Sequence, residues 1–160
     1  METKITTPSD TVIKIESEFD APRDLVWRAY TDPKLIPEWW GPKGYTTDID
    51  KLDFKQGGAW RFVQKDSEGN EFGFHGEFLE IKKPEKMTWT FEWEGMPGHV
   101  STQTVNFEEM GDKTRVWSLS KYASKEDRDG MIESNMEKGL REGNERMAEL
   151  LEKMKSGEVD

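Results

Sequence analysis

Met87, Trp89, Phe91 and Trp93 occupy every second position of one stretch, with Thr88, Thr90 and Glu92 between them. A two-residue period sends successive side chains to opposite faces of a strand, so these rings are buried together only if the stretch belongs to a sheet with one apolar and one wet face. The same period recurs more weakly in Trp60/Phe62, in Phe72/Phe74/Phe78 and in Val105/Phe107. Turn formers punctuate the pattern at Gly57-Gly58, at residues 66–70, at Pro84, at Gly95-Met96-Pro97-Gly98 and at Gly111-Asp112. Six strands paired antiparallel are predicted between residues 45 and 122.

One more strand is predicted upstream, where Ile13, Ile15 and Phe19 alternate with Lys14, Glu16 and Glu18. Asp20 can cap a helix that runs to about Tyr30, with Pro22 at an early helical position. Asp32-Pro33 opens a second short helix ending in Trp39 and Trp40, and Gly41-Pro42 stops it. Past the sheet the period changes. From Ser124, a capping residue, Ile132, Met136, Leu140, Met147, Leu150, Leu151 and Met154 are spaced by threes and fours, which predicts one amphipathic helix of about 30 residues, roughly 45 Å long. The expected fold class is α+β: a seven-stranded curved antiparallel sheet, two short helices and a long C-terminal helix, in the order β-α-α-β6-α. Residues 1–10, polar and interrupted by Pro8, read as a flexible lead-in, residues 11–154 as a single domain, and residues 155–160 as a flexible tail.

A third of the 160 residues are hydrophobic, but seven Trp, eight Phe and three Tyr are among them, so few side chains carry much of the burial. The formal charge of -10 opposes a phosphate-binding surface, which depends on Lys and Arg, and the same sign disfavours anionic membranes. No apolar run approaches the roughly 20 residues of a membrane span. Without cysteine the chain has no disulfide, no thiolate nucleophile and no Cys-ligated metal. Residues 1–10 lack the features of a secretory signal, so the cytoplasm is the expected location.

Gly139 and Gly143 lie four apart on the apolar stripe of the predicted long helix, and each costs about 1 kcal/mol relative to Ala. Close approach of a neighbouring backbone would offset that cost. So would space for a guest. Both readings remain open at this level.

The ordered set Pro22-Arg23-Asp24-Leu25-Val26-Trp27, Thr31-Asp32-Pro33, Trp39-Trp40, Gly57-Gly58-Ala59-Trp60-Arg61, the strand around Gly76 and the strand from Pro84 through Trp89 resembles bacterial SRPBCC proteins similar to the C-terminal domain of the activator of the Hsp90 ATPase. The resemblance covers about residues 11–154. It implies the helix-grip fold, START-like or Bet v 1-like, with a cavity between sheet and long helix that in relatives receives lipids, polyketides or other hydrophobic molecules. Relatives often carry Gly-Trp in the long helix where this chain has Gly139-Leu140, a replacement that implies a roomier cavity.

Catalytic motifs are sparse. The residues contain no Gly-x-Ser-x-Gly elbow, phosphate loop or Rossmann glycine triplet. His75 sits in a predicted strand and His99 in a Gly/Pro-bounded loop. Asp48, Asp50 and Asp53 read as a solvated strand face, residues 66–70 as a hairpin loop, and no metal or other cofactor is expected. The expected function is therefore binding of a small hydrophobic or aromatic molecule, lipid-, polyketide- or flavonoid-like. Its cavity is expected to be lined by Trp39, Trp60, Phe62, Phe74, Phe78, Trp89, Phe91, Trp93, Val105, Phe107, Met136, Gly139, Leu140, Gly143 and Met147, with His75 or Tyr30 as a polar handle and no catalytic residue assigned. The resemblance leaves two alternatives: a module that meets a chaperone partner, with a role in stress response, and a cavity enzyme of cyclase or dehydratase type. A monomer or weak dimer is expected.

Overall fold

The computed structural model describes residues 3–157. Its first element corrects the sequence-based expectation, because strand β1 (Thr3–Ser9) occupies most of the supposed lead-in. It forms an antiparallel hairpin with β2 (Val12–Phe19), Ile5 opposite Ile15 and Ser9 opposite Val12. Pro8 suggested a break, but β1 is an edge strand and Pro8 falls where its register shifts, so the missing N–H leaves no ladder bond unmade. Met1, Glu2 and the last three residues of the expected tail lie outside the described residues.

All eight strands form one antiparallel sheet in the order β1-β2-β8-β7-β6-β5-β4-β3, rather than the seven expected. The remaining strands are β3 (Thr46–Leu52), β4 (Ala59–Lys65), β5 (Glu71–Lys82), β6 (Lys86–Trp93), β7 (Val100–Met110) and β8 (Lys113–Lys121). Strands β5 and β6 keep one register from Phe74↔Trp93 to Phe78↔Trp89, and the register shifts before Glu80. At Gly76, a Cβ would overlap the Thr90 carbonyl and the Trp60 indole nitrogen, which are hydrogen-bonded to each other. Only a glycine lets β5 pass over that bond.

Helix α1 (Arg23–Thr31) connects β2 toward β3, buries Val26, Trp27 and Ala29, and begins at Pro22 without a side-chain cap. Asp20 is therefore not its cap; the Pro22 carbonyl accepts from Leu25 and Val26. The second short helix is reduced to a single 3-10 turn (Ile36–Glu38), because Pro37 has no N–H with which to extend an α-helical ladder.

The long C-terminal helix is two helices. α2 (Lys125–Glu133) is capped by the Ser124 hydroxyl, which accepts from the Asp127 N–H at 3.1 Å, and it has no buried residue. α3 (Met136–Lys155) buries Gly143, Asn144, Met147, Leu150, Leu151 and Met154. Between them Ser134 closes α2 on the Gly130 carbonyl, and Asn135 takes a left-handed conformation with φ of 66°, which an Asn side chain tolerates better than most. The expected stripe thus divides: its C-terminal half packs on α1 and the sheet, while Ile132 is exposed. Arg146 fastens α3 to the 3-10 segment by donating to the carbonyls of Gly41 (2.9 Å), Pro37 (3.1 Å) and Pro42 (3.4 Å). Among the described residues no helix is long and apolar enough to cross a membrane.

Candidate functional site

Two apolar cavities lie against the concave face of the sheet. The inner one, about 90 Å³, is lined from α1 and the 3-10 segment by Tyr30, Ile36, Trp39 and Trp40, and from the sheet by residues that include Trp60, Phe62, Phe78, Trp89, Phe91 and Gln103. Its rings brace one another in tilted and edge-to-face pairs. Tyr30 lies 4.7 Å from Trp39 and 5.1 Å from Phe107 between centroids, and Trp60 lies 4.9 Å from Phe62. The indole N–H groups of Trp39 and Trp60 donate to the carbonyls of Ala29 (2.8 Å) and Thr90 (3.2 Å). The lining also carries four side-chain polar functions that are not hydrogen-bonded within the described residues: the Tyr30 hydroxyl, the Gln103 amide and the indole N–H groups of Trp40 and Trp89. Burial holds the Tyr30 phenol well above the ordinary tyrosine pKa, so it is a neutral donor. A polar group left unpaired inside a protein costs about 1–3 kcal/mol, which a guest or a water in this cavity would relieve.

The outer pocket is larger, about 440 Å³, and α2 forms one of its walls. The sheet contributes Phe74, Phe91 and Trp93, the β6–β7 connection Met96 and His99, and α2 residues from Glu126 to Met131, with Ser134 beyond. Trp93, Met96 and Val100 are large apolar side chains left exposed around it. Burial raises the pKa of Tyr122, also in the lining, to about 12. His99 Nδ1 lies 2.8 Å from Asp127 Oδ1, tying the hairpin connection to α2 across the pocket. Phe91 lines both cavities, so its ring is the wall they share.

Of the residues expected to line a cavity, Trp39, Trp60, Phe62, Phe78, Trp89, Phe91 and Tyr30 surround the inner one, while Phe74, Trp93 and Phe91 face the outer one. Val105, Phe107 and Met147 are packed into the solid core beside Trp27 and Leu151. Met136, Gly139 and Leu140 line neither cavity, because the break at Asn135 turns the start of α3 away from the pocket that α2 borders. The two glycines separate as well: a Cβ on Gly143 would meet the carbonyls of Trp39 and Gly41 at 3.5 and 3.7 Å, whereas one on Gly139 would meet nothing within 4 Å. Both distances are ordinary contact, so close approach does not require a glycine at 143, and neither glycine lines a cavity.

His75 points to the outer face of the sheet, where Nδ1 lies 2.9 Å from Glu94 and Nε2 3.4 Å from Glu92, so it is no handle inside a pocket. Arg61 donates to both oxygens of Glu94, at 2.8 and 2.9 Å. Those bonds, followed by the one from His75, hold the Glu94 carboxyl down at about 2. Asp48, Asp50 and Asp53 pair with Lys65, Arg61 and Lys55, and Asp66 accepts from Glu68 and Asn70 within its own loop. Sequence reasoning missed Gln103 and the contribution of α2. Gln103 shares the inward parity of Val105 and Phe107, and a polar residue on the apolar side of a strand was the available signal. No local signal marks α2, whose lining role depends on the bend at Asn135.

An antiparallel sheet that curves over a C-terminal helix and leaves apolar cavities beneath it defines a helix-grip α+β protein. Residues 20–152 match the family described as activator of Hsp90 ATPase homolog 1-like protein, and the chain belongs to that family, within the Bet v 1-like SRPBCC group. It is similar to a protein from Arthrobacter aurescens, with 25% identity over 94% of this chain and 91% of that one and a TM-score of 0.86. A Rhodobacter sphaeroides protein shares the fold at 23% identity, 94% and 98% coverage and a TM-score of 0.88. So does DynU16, a protein in the dynemicin biosynthetic locus, at 19% identity and a TM-score of 0.71, over 91% of this chain and 48% of that one. No curated protein matches the sequence.

Proposed function

We propose that this chain binds a small apolar or aromatic molecule, lipid-, polyketide- or flavonoid-like, in the outer pocket between the concave face and α2. The observation that carries this reading is the pocket itself. Its volume of about 440 Å³ falls within the range of roughly 300–1,000 Å³ typical of ligand sites, its walls are mostly aromatic and aliphatic, and the helix beside it buries nothing of its own. The fold is shared with DynU16, a protein in a biosynthetic locus, which fits a binding role for a small molecule. Titration with the neutral fluorophore N-phenyl-1-naphthylamine tests the proposal. Saturable enhancement that is lost in Met131→Trp, which fills the pocket, is the expected result. No enhancement, together with no thermal shift for any neutral aromatic or fatty alcohol, defeats it.

A second reading, a cavity enzyme of cyclase or dehydratase type, draws on the His99–Asp127 pair, in which the carboxylate orients an imidazole at the pocket edge. Incubation with a polyketone and mass spectrometry tests for loss of water. No loss, or a loss that persists in His99→Ala, removes this reading.

A further inference from the structure

We propose that the inner cavity is a carbonyl-recognition subsite, taking the ketone end of an apolar guest whose body lies in the outer pocket. The inference rests on the function proposed above and adds the chemical class of the guest.

The cavity of about 90 Å³ is far too small for a whole lipid or polyketide, yet it is large enough for a group of a few heavy atoms. Its lining is apolar except at Tyr30, Gln103 and the indole N–H groups of Trp40 and Trp89. Tyr30 and Gln103 can both donate: the phenol stays protonated, and the amide carries two N–H bonds. Each also has an acceptor oxygen, but donors outnumber acceptors in this lining, and an oxygen with two lone pairs and no proton of its own, which is a carbonyl, accepts from both. A carboxylate is a poorer fit, because no Lys or Arg lines either cavity and the whole chain carries a charge of -10. A hydrocarbon end would leave both donors unpaired. The two cavities adjoin at Phe91, which lines both.

Tyr30 and Gln103 come from α1 and β7, elements far apart in sequence that the fold brings to one cavity. Tyr30 is wedged between Trp39 and Phe107. Gln103 is held in a full ladder, opposite Trp89 on one side and Ser120 on the other.

The test uses a matched pair of nearly equal shape, 2-acetylnaphthalene and 2-isopropenylnaphthalene, with butan-2-one as a fragment that fills the inner cavity alone. For the full chain the ketone is expected to bind at least tenfold more tightly than the hydrocarbon, with its C=O infrared band shifted to lower frequency. Tyr30→Phe and Gln103→Leu are each expected to reduce that preference and shift the band back, while leaving hydrocarbon affinity near its original value. Butan-2-one showing the same band shift, sensitive to the same substitutions, places the recognition in the inner cavity and not on the body of the guest. Equal affinity for the matched pair, or a ketone preference that survives both substitutions, overturns the subsite and leaves the outer-pocket function standing. Failure of both naphthalenes to bind overturns the two together.

Discussion

Asn144 is a buried amide on α3 whose Nδ2 donates to the hydroxyls of Thr3 (3.0 Å) and Ser17 (2.9 Å), on the two strands of the N-terminal hairpin. One side chain therefore anchors the last helix to the edge of the sheet. Asn144→Ala leaves two buried hydroxyls to find other partners, and a loss of about 1–3 kcal/mol is expected in denaturant unfolding. On the opposite surface Glu94 sets a different dependence. Its carboxyl, about 31% exposed, is depressed to about 2 from an ordinary value near 4.5, chiefly by Arg61 and then by His75. A depressed acid stabilises the fold above its unfolded-state pKa and loses that contribution as pH falls through the folded value. The advantage of the native chain over Glu94→Gln should therefore be complete above pH 4.5 and fade toward pH 2. Because Arg61 is also partly exposed, salt should shrink it. Midpoints of urea unfolding for the two chains across that window check both statements.

At the scale of elements, α2 and α3 read in sequence as one helix and behave as two. α3 buries six residues and is tethered by Arg146 and Asn144. α2 buries none; among its ties are the Ser124 cap, the His99–Asp127 contact and the Arg128 bond to the Ser9 carbonyl. Elements with little buried apolar contact open at low free energy. Amide hydrogens of α2 should exchange well ahead of those in the C-terminal half of α3, and a bound guest should slow α2 selectively. Equal protection of the two helices without ligand would show that α2 is not a separately opening wall. Strand β1 is the reverse case, a segment that composition marked as loose but that pairing with β2 and the bond from Asn144 to Thr3 hold in place.

For the molecule as a whole, the aromatic face depends on β5 passing closely over the Trp60–Thr90 bond at Gly76. Gly76→Ala pushes a methyl group into the Thr90 backbone carbonyl and the Trp60 indole nitrogen that is bonded to it. The expected cost is about 1–3 kcal/mol, typical of overpacking, or roughly 2–12 °C in Tm for a chain of this size. Calorimetry measures it, and guest affinity should fall with it, because relieving the overlap moves Trp60, which lines the inner cavity. A variant as stable as the parent would show that this crossing does not require a glycine.

The chain's alternation of rings and polar residues between Trp60 and Phe107 determined by itself an antiparallel sheet with one aromatic face, and its threes and fours from Met147 onward determined a packed C-terminal helix. Those patterns are local, since a strand or a helix face is written within a few consecutive residues. The tertiary structure alone decided that Thr3–Ser9 joins the sheet as an edge strand, that Asn135 divides the long helix, and which aromatic residues line space and which fill it. Trp60 and Phe107 look alike in sequence, yet one borders a cavity and the other is packed solid, because emptiness depends on what arrives from α1, α2 and α3 and not on the strand that carries the ring.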